Sequence, residues 1–218
     1  MASRPAAGGG RHVDVAPERL GKWFAGFAER HGATTWTATP DRVDVVAADG
    51  ARAECDVPFA PLTIDGDAAF GGLLAHAAAD RRVGVLLVRL GGYAAGVFDG
   101  QTLQASKVGS KTVHGRNSNG GWSQHRYARR REGQVKEALS EAADVAVRIL
   151  GDAKGLTALI LGGESTSAKE VMTDVRLQPL RPLVQPRFLV VPDPKLVVLQ
   201  ATPALFRAVR IRVIDPGE

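Results

Sequence analysis

Leu20, Trp23, Phe24 and Phe27 recur at i, i+3, i+4 and i+7. This spacing predicts an amphipathic helix that opens at Pro17-Glu18 and stops at His31-Gly32. Short strands are expected at 34–38, 42–47 and 51–57, parted by turns at Thr39-Pro40-Asp41 and Asp49-Gly50. A short Ala/Leu helix is expected over 67–79. The unbroken apolar run Val83–Leu90 reads as a buried strand. Gly91-Gly92 and Asp99-Gly100 then set off Tyr93–Phe98 and Thr102–Val108, which together predict a three-strand antiparallel meander. Further on, Val135, Ala138, Leu139, Ala142, Ala146 and Ile149 keep one apolar face of a long helix that Gly151 ends.

Leu156–Leu161 is expected as another buried strand, with Gly162-Gly163 turning into a helix near 168–175. Pro179, Pro182 and Pro186 should break the chain. Phe188–Val191 and Leu196–Gln200 read as strands. Val209, Ile211 and Val213 alternate with Arg210 and Arg212, the pattern of an edge strand with one polar face. The order β-β-β-α-β-α-β implies an α/β layer fold, a mixed sheet with flanking helices. Residues 1–12 show no period and are expected to form a disordered tail. Residues 13–81 would then make a small N-terminal α/β region and 82–218 a second domain.

One stretch breaks the patterning. GSKTVHGRNSNGGWSQ at 109–124 has no apolar period and is rich in Gly, Ser and Asn, so a long exposed loop is expected. Loops of this length are often functional. The helix start that follows carries Arg126, Arg129, Arg130 and Arg131.

Charge sharpens the picture. The 218-residue chain has a net charge of +5. No acidic residue occurs between Asp99 and Glu132, and that window holds Lys107, Lys111, Arg116 and the four arginines just named. These seven cations exceed the whole net charge. A concentrated basic segment fits a polyanion, usually nucleic acid. On a helix, Arg126, Arg129 and Arg130 share one face in the first turns, where the dipole already disfavours cations. A phosphate site explains this placement, and a solvated basic helix start is the plain alternative.

Composition narrows the class. A single cysteine, Cys55, excludes an intrachain disulfide framework and a multi-cysteine zinc site, and it suits a reducing compartment. Cys55 is expected as a small buried hydrophobe. No apolar run is long enough for a membrane helix, and the first residues lack the apolar stretch of a secretory signal. The expected setting is cytoplasmic, without a membrane.

The run GGWSQHRYARRR resembles the catalytic loop and following helix of the middle domain of eukaryotic and archaeal class I peptide-release factors. Their pattern is Gly-Gly-Gln-Ser-x-x-Arg-Phe-x-Arg-x-Arg. Gly120, Gly121, Ser123, Arg126, Arg129 and Arg131 match it, and Tyr127 replaces Phe. Trp122 stands where those factors carry glutamine, and the glutamine comes two positions later, at Gln124. Vms-like release factors of ribosome-associated quality control share that departure. Lys111-Thr112-Val113-His114 and Gly120–Gln124 are similar to their loop. VGVLLVRLGGYAAGVFDG resembles the opening hairpin of the same domain, and LILGGESTSAKEV its later strand-Gly-Gly-helix. The resemblance covers roughly residues 82–200, and the actinobacterial branch fits best.

The resemblance implies a ribonuclease H-like fold and a peptidyl-tRNA hydrolase that frees nascent chains on stalled large ribosomal subunits. It assigns Gln124, with Gly120, Gly121 and Ser123, to the catalytic loop. The RNA-binding set would be Lys107, Lys111, His114, Arg116, Trp122, His125, Arg126, Arg129, Arg130 and Arg131. Residues 13–80 lack the stop-codon motifs of true release factors, so action independent of a stop codon is expected. The partners would be peptidyl-tRNA and ribosomal RNA, met by a monomer with no cofactor and no metal. Two rival functions stay open: endonucleolytic cleavage of the tRNA 3′ end, and a non-catalytic RNA-binding or ribosome-binding module.

Other features carry plainer readings. His114 and His125 have no partners at zinc spacing, so RNA contact is the form a role would take. GGYAAG at 91–96 has the wrong spacing for a dinucleotide fingerprint and reads as a hairpin turn. Gly162-Gly163 lacks the Lys-Ser/Thr of a phosphate loop and reads as a strand-to-helix turn. Trp122 either stacks on a base or plugs the loop, and stacking is favoured.

Overall fold

A computed structural model describes residues 3–6, 8–89, 91–110 and 123–217, with Ser3 and 123–131 as backbone only. In chain order the elements are β1 (Ser3–Pro5), β2 (Arg11–Val15), α1 (Pro17–His31), β3 (Thr34–Ala38), β4 (Arg42–Ala47), β5 (Arg52–Asp56) and α2 (Leu73–Ala78). There follow β6 (Arg82–Arg89), β7 (Gly92–Asp99), β8 (Thr102–Ser110), α3 (Ser123–Ala146), β9 (Ala158–Gly163), α4 (Ser165–Val171), β10 (Val184–Leu189), α5 (Leu196–Gln200), α6 (Pro203–Phe206) and β11 (Val209–Ile214). The chain divides into two compact units, residues 1–79 with 204–218, and residues 80–203.

The first unit is a six-stranded sheet in the order β1-β2-β11-β5-β4-β3, every pair antiparallel. Helix α1 lays Leu20, Phe24 and Phe27 on it, all buried with Val15, Val43, Cys55 and Ile211. Each such side chain contributes roughly 1.5–3 kcal/mol by leaving water. Trp23, on the same stripe, is only partly buried and stacks on Phe27 at 5.5 Å. Cys55 is buried as expected, and burial, with Asp44 and Asp56 nearby, pushes its thiol pKa up.

Three expectations fail here. Residues 82–218 do not run on as one domain, because the last strand lies in the first unit. Nor is that strand an edge: β11 sits between β2 and β5. Its polar face is explained by cross-strand ion pairs, Arg210 opposite Asp14 at 3.5 Å and Arg212 opposite Glu54 at 3.3 Å. The N-terminal residues also differ from the expected disordered tail. Ser3–Pro5 pairs with β2, and Arg212 donates to the carbonyls of Gly8 and Gly9.

The second unit holds a five-stranded mixed sheet in the order β10-β9-β6-β7-β8. The meander β6-β7-β8 is antiparallel, while β9 pairs parallel with β6 and β10 parallel with β9. This is the mixed sheet with flanking helices that the element order implies. Leu86, Val88, Leu159 and Leu161 face Ala142, Ala146 and Leu150 in its core. The helical path runs past α3 through a π-helical turn, Val147–Gly151. The wider turn shifts the phase of the stripe, so Leu150 is buried and Ile149 only half-buried. Leu150 fills the space over Gly84.

Gly162 and Gly163 do turn from strand to helix. Gly163 has φ +96°, and a Cβ there would overlap the Val88 carbonyl. The Glu164 N–H donates to that same carbonyl at 2.7 Å.

The proline segment is more ordered than expected, with Pro179 and Pro182 inside a 3-10 helix over Val175–Leu183. Pro186 lies in β10, an edge strand, where a missing N–H is tolerated. Leu196–Gln200 is a helix, not a strand. It buries Leu199, packed on Gly96, and leaves Val197 exposed, and so short an apolar run cannot be told from a strand by period alone. Among the described residues, no helix is long and apolar enough to cross a membrane.

Candidate functional site

The basic segment spans the end of β8, residues 111–122 and the start of α3. Lys107 is exposed on β8, opposite Ala95 of β7. β8 lies at the sheet edge, and among the described residues no strand pairs with its other side. Lys111, His114, Arg116, Gly120, Gly121 and Trp122 lie outside the described residues, as does most of the expected loop at 109–124.

Ser123, Gln124, His125, Arg126, Arg129, Arg130 and Arg131 fall on α3, whose described residues begin at Ser123. No acidic residue occupies its first turn. Helical backbone sets Arg126, Arg129 and Arg130 on one side of the axis. This part of α3 thus gathers cationic residue types on one side of the helix, an arrangement suited to phosphate.

The second half of α3 is fastened to the unit. Arg176 reaches Asp144 of α3 at 2.8 Å and Asp174 at 2.7 Å. Hydrogen bonds from the Arg176 side chain and backbone N–H hold the Asp174 carboxyl down at about 2. Ala142 and Ala146 pack on the sheet.

Sequence reasoning missed a contact at the base of the segment. The buried Tyr93 of β7 is the register partner of Gly109 on β8, and a Cβ on Gly109 would overlap its ring. Tyr93 Oη also points to Glu141 Oε2 on α3 at 3.4 Å. The hint in the sequence is a glycine facing an aromatic across two paired strands, legible only once the register is known.

Among the described residues no cluster of His, Cys, Asp and Glu could hold a metal ion.

Comparison with known proteins gives the context. No curated protein matches the chain. Among solved structures, an archaeal translation termination factor, aRF1, aligns with a TM-score of 0.44 and 14% identity over 90% of this chain and 66% of that one. The Vms1 mitochondrial localization core aligns at 0.45 and 8% identity, over 78% and 75% of the two chains. Dom34 of S. cerevisiae, a translation termination-like factor, aligns at 0.28 and 9% identity, over 95% and 69%. These scores are low, and the assignment rests instead on a family model that matches residues 81–212, more than half of the sequence, including the basic segment and both flanks. The chain belongs to the Actinobacteria/chloroflexi VLRF1 release factor family.

Proposed function

We propose that this chain is a peptidyl-tRNA hydrolase that frees nascent peptides from tRNA on stalled large ribosomal subunits, without reading a stop codon. It would act in the cytoplasm, as a monomer. The observation that carries the reading is the helical backbone from Ser123 onward, which sets Arg126, Arg129 and Arg130 on one side of α3 close to Gln124 in sequence.

Ester hydrolysis at the terminal ribose needs a placed water and a donor for the oxyanion. The Gln124 N–H donates to the carbonyl oxygen as it gains charge. Its side-chain amide orients the water. The water oxygen bonds to the carbonyl carbon, the bond to the ribose oxygen breaks, and a water proton ends on that oxygen. No titrating protein group takes part. Gly120 and Gly121 give the loop backbone the freedom to approach the ester closely, and Ser123 is the sequence neighbour of Gln124. Arg126, Arg129, Arg130 and Arg131 neutralise RNA phosphates, together with Lys107, Lys111 and Arg116. His114, Trp122 and His125 contact RNA. The strand order of the second unit, with three antiparallel strands and two parallel additions, supports the ribonuclease H-like reading.

The deciding experiment is peptide release in vitro from a stalled ribosome–nascent-chain complex, with the tRNA product sized. An intact 3′ end with free peptide is expected. A shortened tRNA would make the chain an endonuclease, and binding without either product would make it a binding module.

A further inference from the structure

We propose that Tyr93 is a positioning residue for the release reaction, setting the direction in which the start of α3 is presented. The inference rests on the function proposed above, but the contact is independent of it. Tyr93 is buried in β7 and covers Gly109, its register partner on β8, one residue before Ser110, the last described residue of that strand. The same side chain meets α3. It lines a narrow cleft with Gly92 on the sheet side and Val135, Ala138 and Leu139 on the helix side. Its hydroxyl points to Glu141 at 3.4 Å. One ring therefore touches both described stems of the basic segment, the strand that leads into it and the helix that leaves it.

The geometry gives this contact leverage. Glu141 and Gln124 are separated by about 25 Å of helix at 1.5 Å per residue, so a tilt of about 10° at the base displaces the far end by about 4 Å. Misplacement of reacting groups by about 1 Å can cost on the order of 10²-fold in rate. Gly109 belongs to the same device. With no Cβ it lets the strand backbone pass beneath the ring, and a methyl group there would drive the ring away. The hydroxyl contact is long for an O–H···O bond, so the ring carries the effect.

The test uses the full chain and four variants: Gly109→Ala, Tyr93→Phe, Tyr93→Leu, and Gly109→Ala combined with Tyr93→Leu. Single-turnover release is measured against ribosome concentration, and amide hydrogen exchange is followed over 132–139. Gly109→Ala should lower the maximal release rate about tenfold or more and leave the half-saturating ribosome concentration unchanged, because misaligned groups still bind. Tyr93→Phe keeps the ring and should stay within about threefold of wild type. Tyr93→Leu lacks the ring end that meets Gly109, so Gly109→Ala should add no further loss in that background. Exchange over 132–139 should rise in Gly109→Ala and in Tyr93→Leu, with no further rise in the double variant.

Wild-type rate and exchange in Gly109→Ala would overturn the proposal, as would losses that multiply in the double variant. Should the wild-type chain release no peptide, the proposed function fails, and the exchange pattern alone decides whether Tyr93 holds the two stems.

Discussion

Arg207 donates from Nη1 to Glu18 Oε1 at 2.8 Å, joining a residue two positions before β11 to the first turn of α1 across 189 positions of sequence. Arg207 is 9% exposed, so the carboxylate answers a guanidinium that water barely reaches. Hydrogen bonding to the helix backbone, and then to Arg207, holds the Glu18 carboxyl below its ordinary value of 4.5. A carboxylate depressed in the folded state stabilises above its unfolded pKa, and the contribution is lost as pH falls through the folded pKa. Glu18→Gln should therefore cost about 0.5–1 kcal/mol at pH 7, modest because Glu18 itself is half exposed, and less at about pH 3, where protonation of the carboxyl removes the contribution. Urea denaturation at the two pH values measures this. An equal cost at both would show that charge plays no part.

Gln124→Ala should lower single-turnover release by on the order of 10²–10³-fold, the usual effect of removing one preorganised donor or water-orienting group. Ribosome affinity should hardly change, since Gln124 is one neutral side chain beside seven cations. Gln134→Ala, almost three helical turns further along α3, serves as the control and should stay near wild type. Release by Gln124→Ala at the wild-type rate, in an assay limited by chemistry, would remove the assignment.

Replacing Arg126, Arg129 and Arg130 together by Ala should flatten the salt dependence of ribosome binding. If each neutralises one phosphate, the log–log slope falls by roughly 0.7–0.9 per residue. Circular dichroism should show the fold retained, because these positions lie off the apolar stripe of α3. An unchanged slope would mean that the arginines meet no phosphate.

Gly163→Ala should destabilise by about 2 kcal/mol or more, since φ there is +96° and the new methyl group meets the Val88 carbonyl rather than a side chain that could swing aside. Gly133→Ala in α3 should instead stabilise by about 1 kcal/mol, as no atom of the described residues lies within 4 Å of the added Cβ and alanine favours the helix. Thermal unfolding of the two variants should move in opposite directions. A drop in both would mean that the second unit tolerates no added methyl group, whatever its surroundings.

Much of the fold was legible because its signals are local. The hairpins of β6, β7 and β8 follow from the Gly-Gly and Asp-Gly pairs between apolar runs, and α3 from an apolar stripe kept over several turns. Leu196–Gln200 was misread because five residues do not span enough turns to separate a period of 3.6 from one of 2. Of the candidate site, the motif and its charge were legible. The position of Gln124 on helical backbone, rather than at the end of the loop, needed the structure.

By itself the sequence determined which faces of each element are apolar, where the chain turns, and that one acid-free stretch gathers seven cations around a glutamine. These follow from side-chain period and backbone preference over a few residues. It did not determine partners. The alternation of Val209, Ile211 and Val213 with Arg210 and Arg212 reads the same for an edge strand as for the observed one, which lies between β2 and β5 with Asp14 and Glu54 opposite the arginines. Nor could spacing reveal that Tyr93 lies over Gly109. Such pairings join distant parts of the chain and are chosen by which burial and register offset the entropy of closing long loops, a property of the whole packed unit rather than of any short segment.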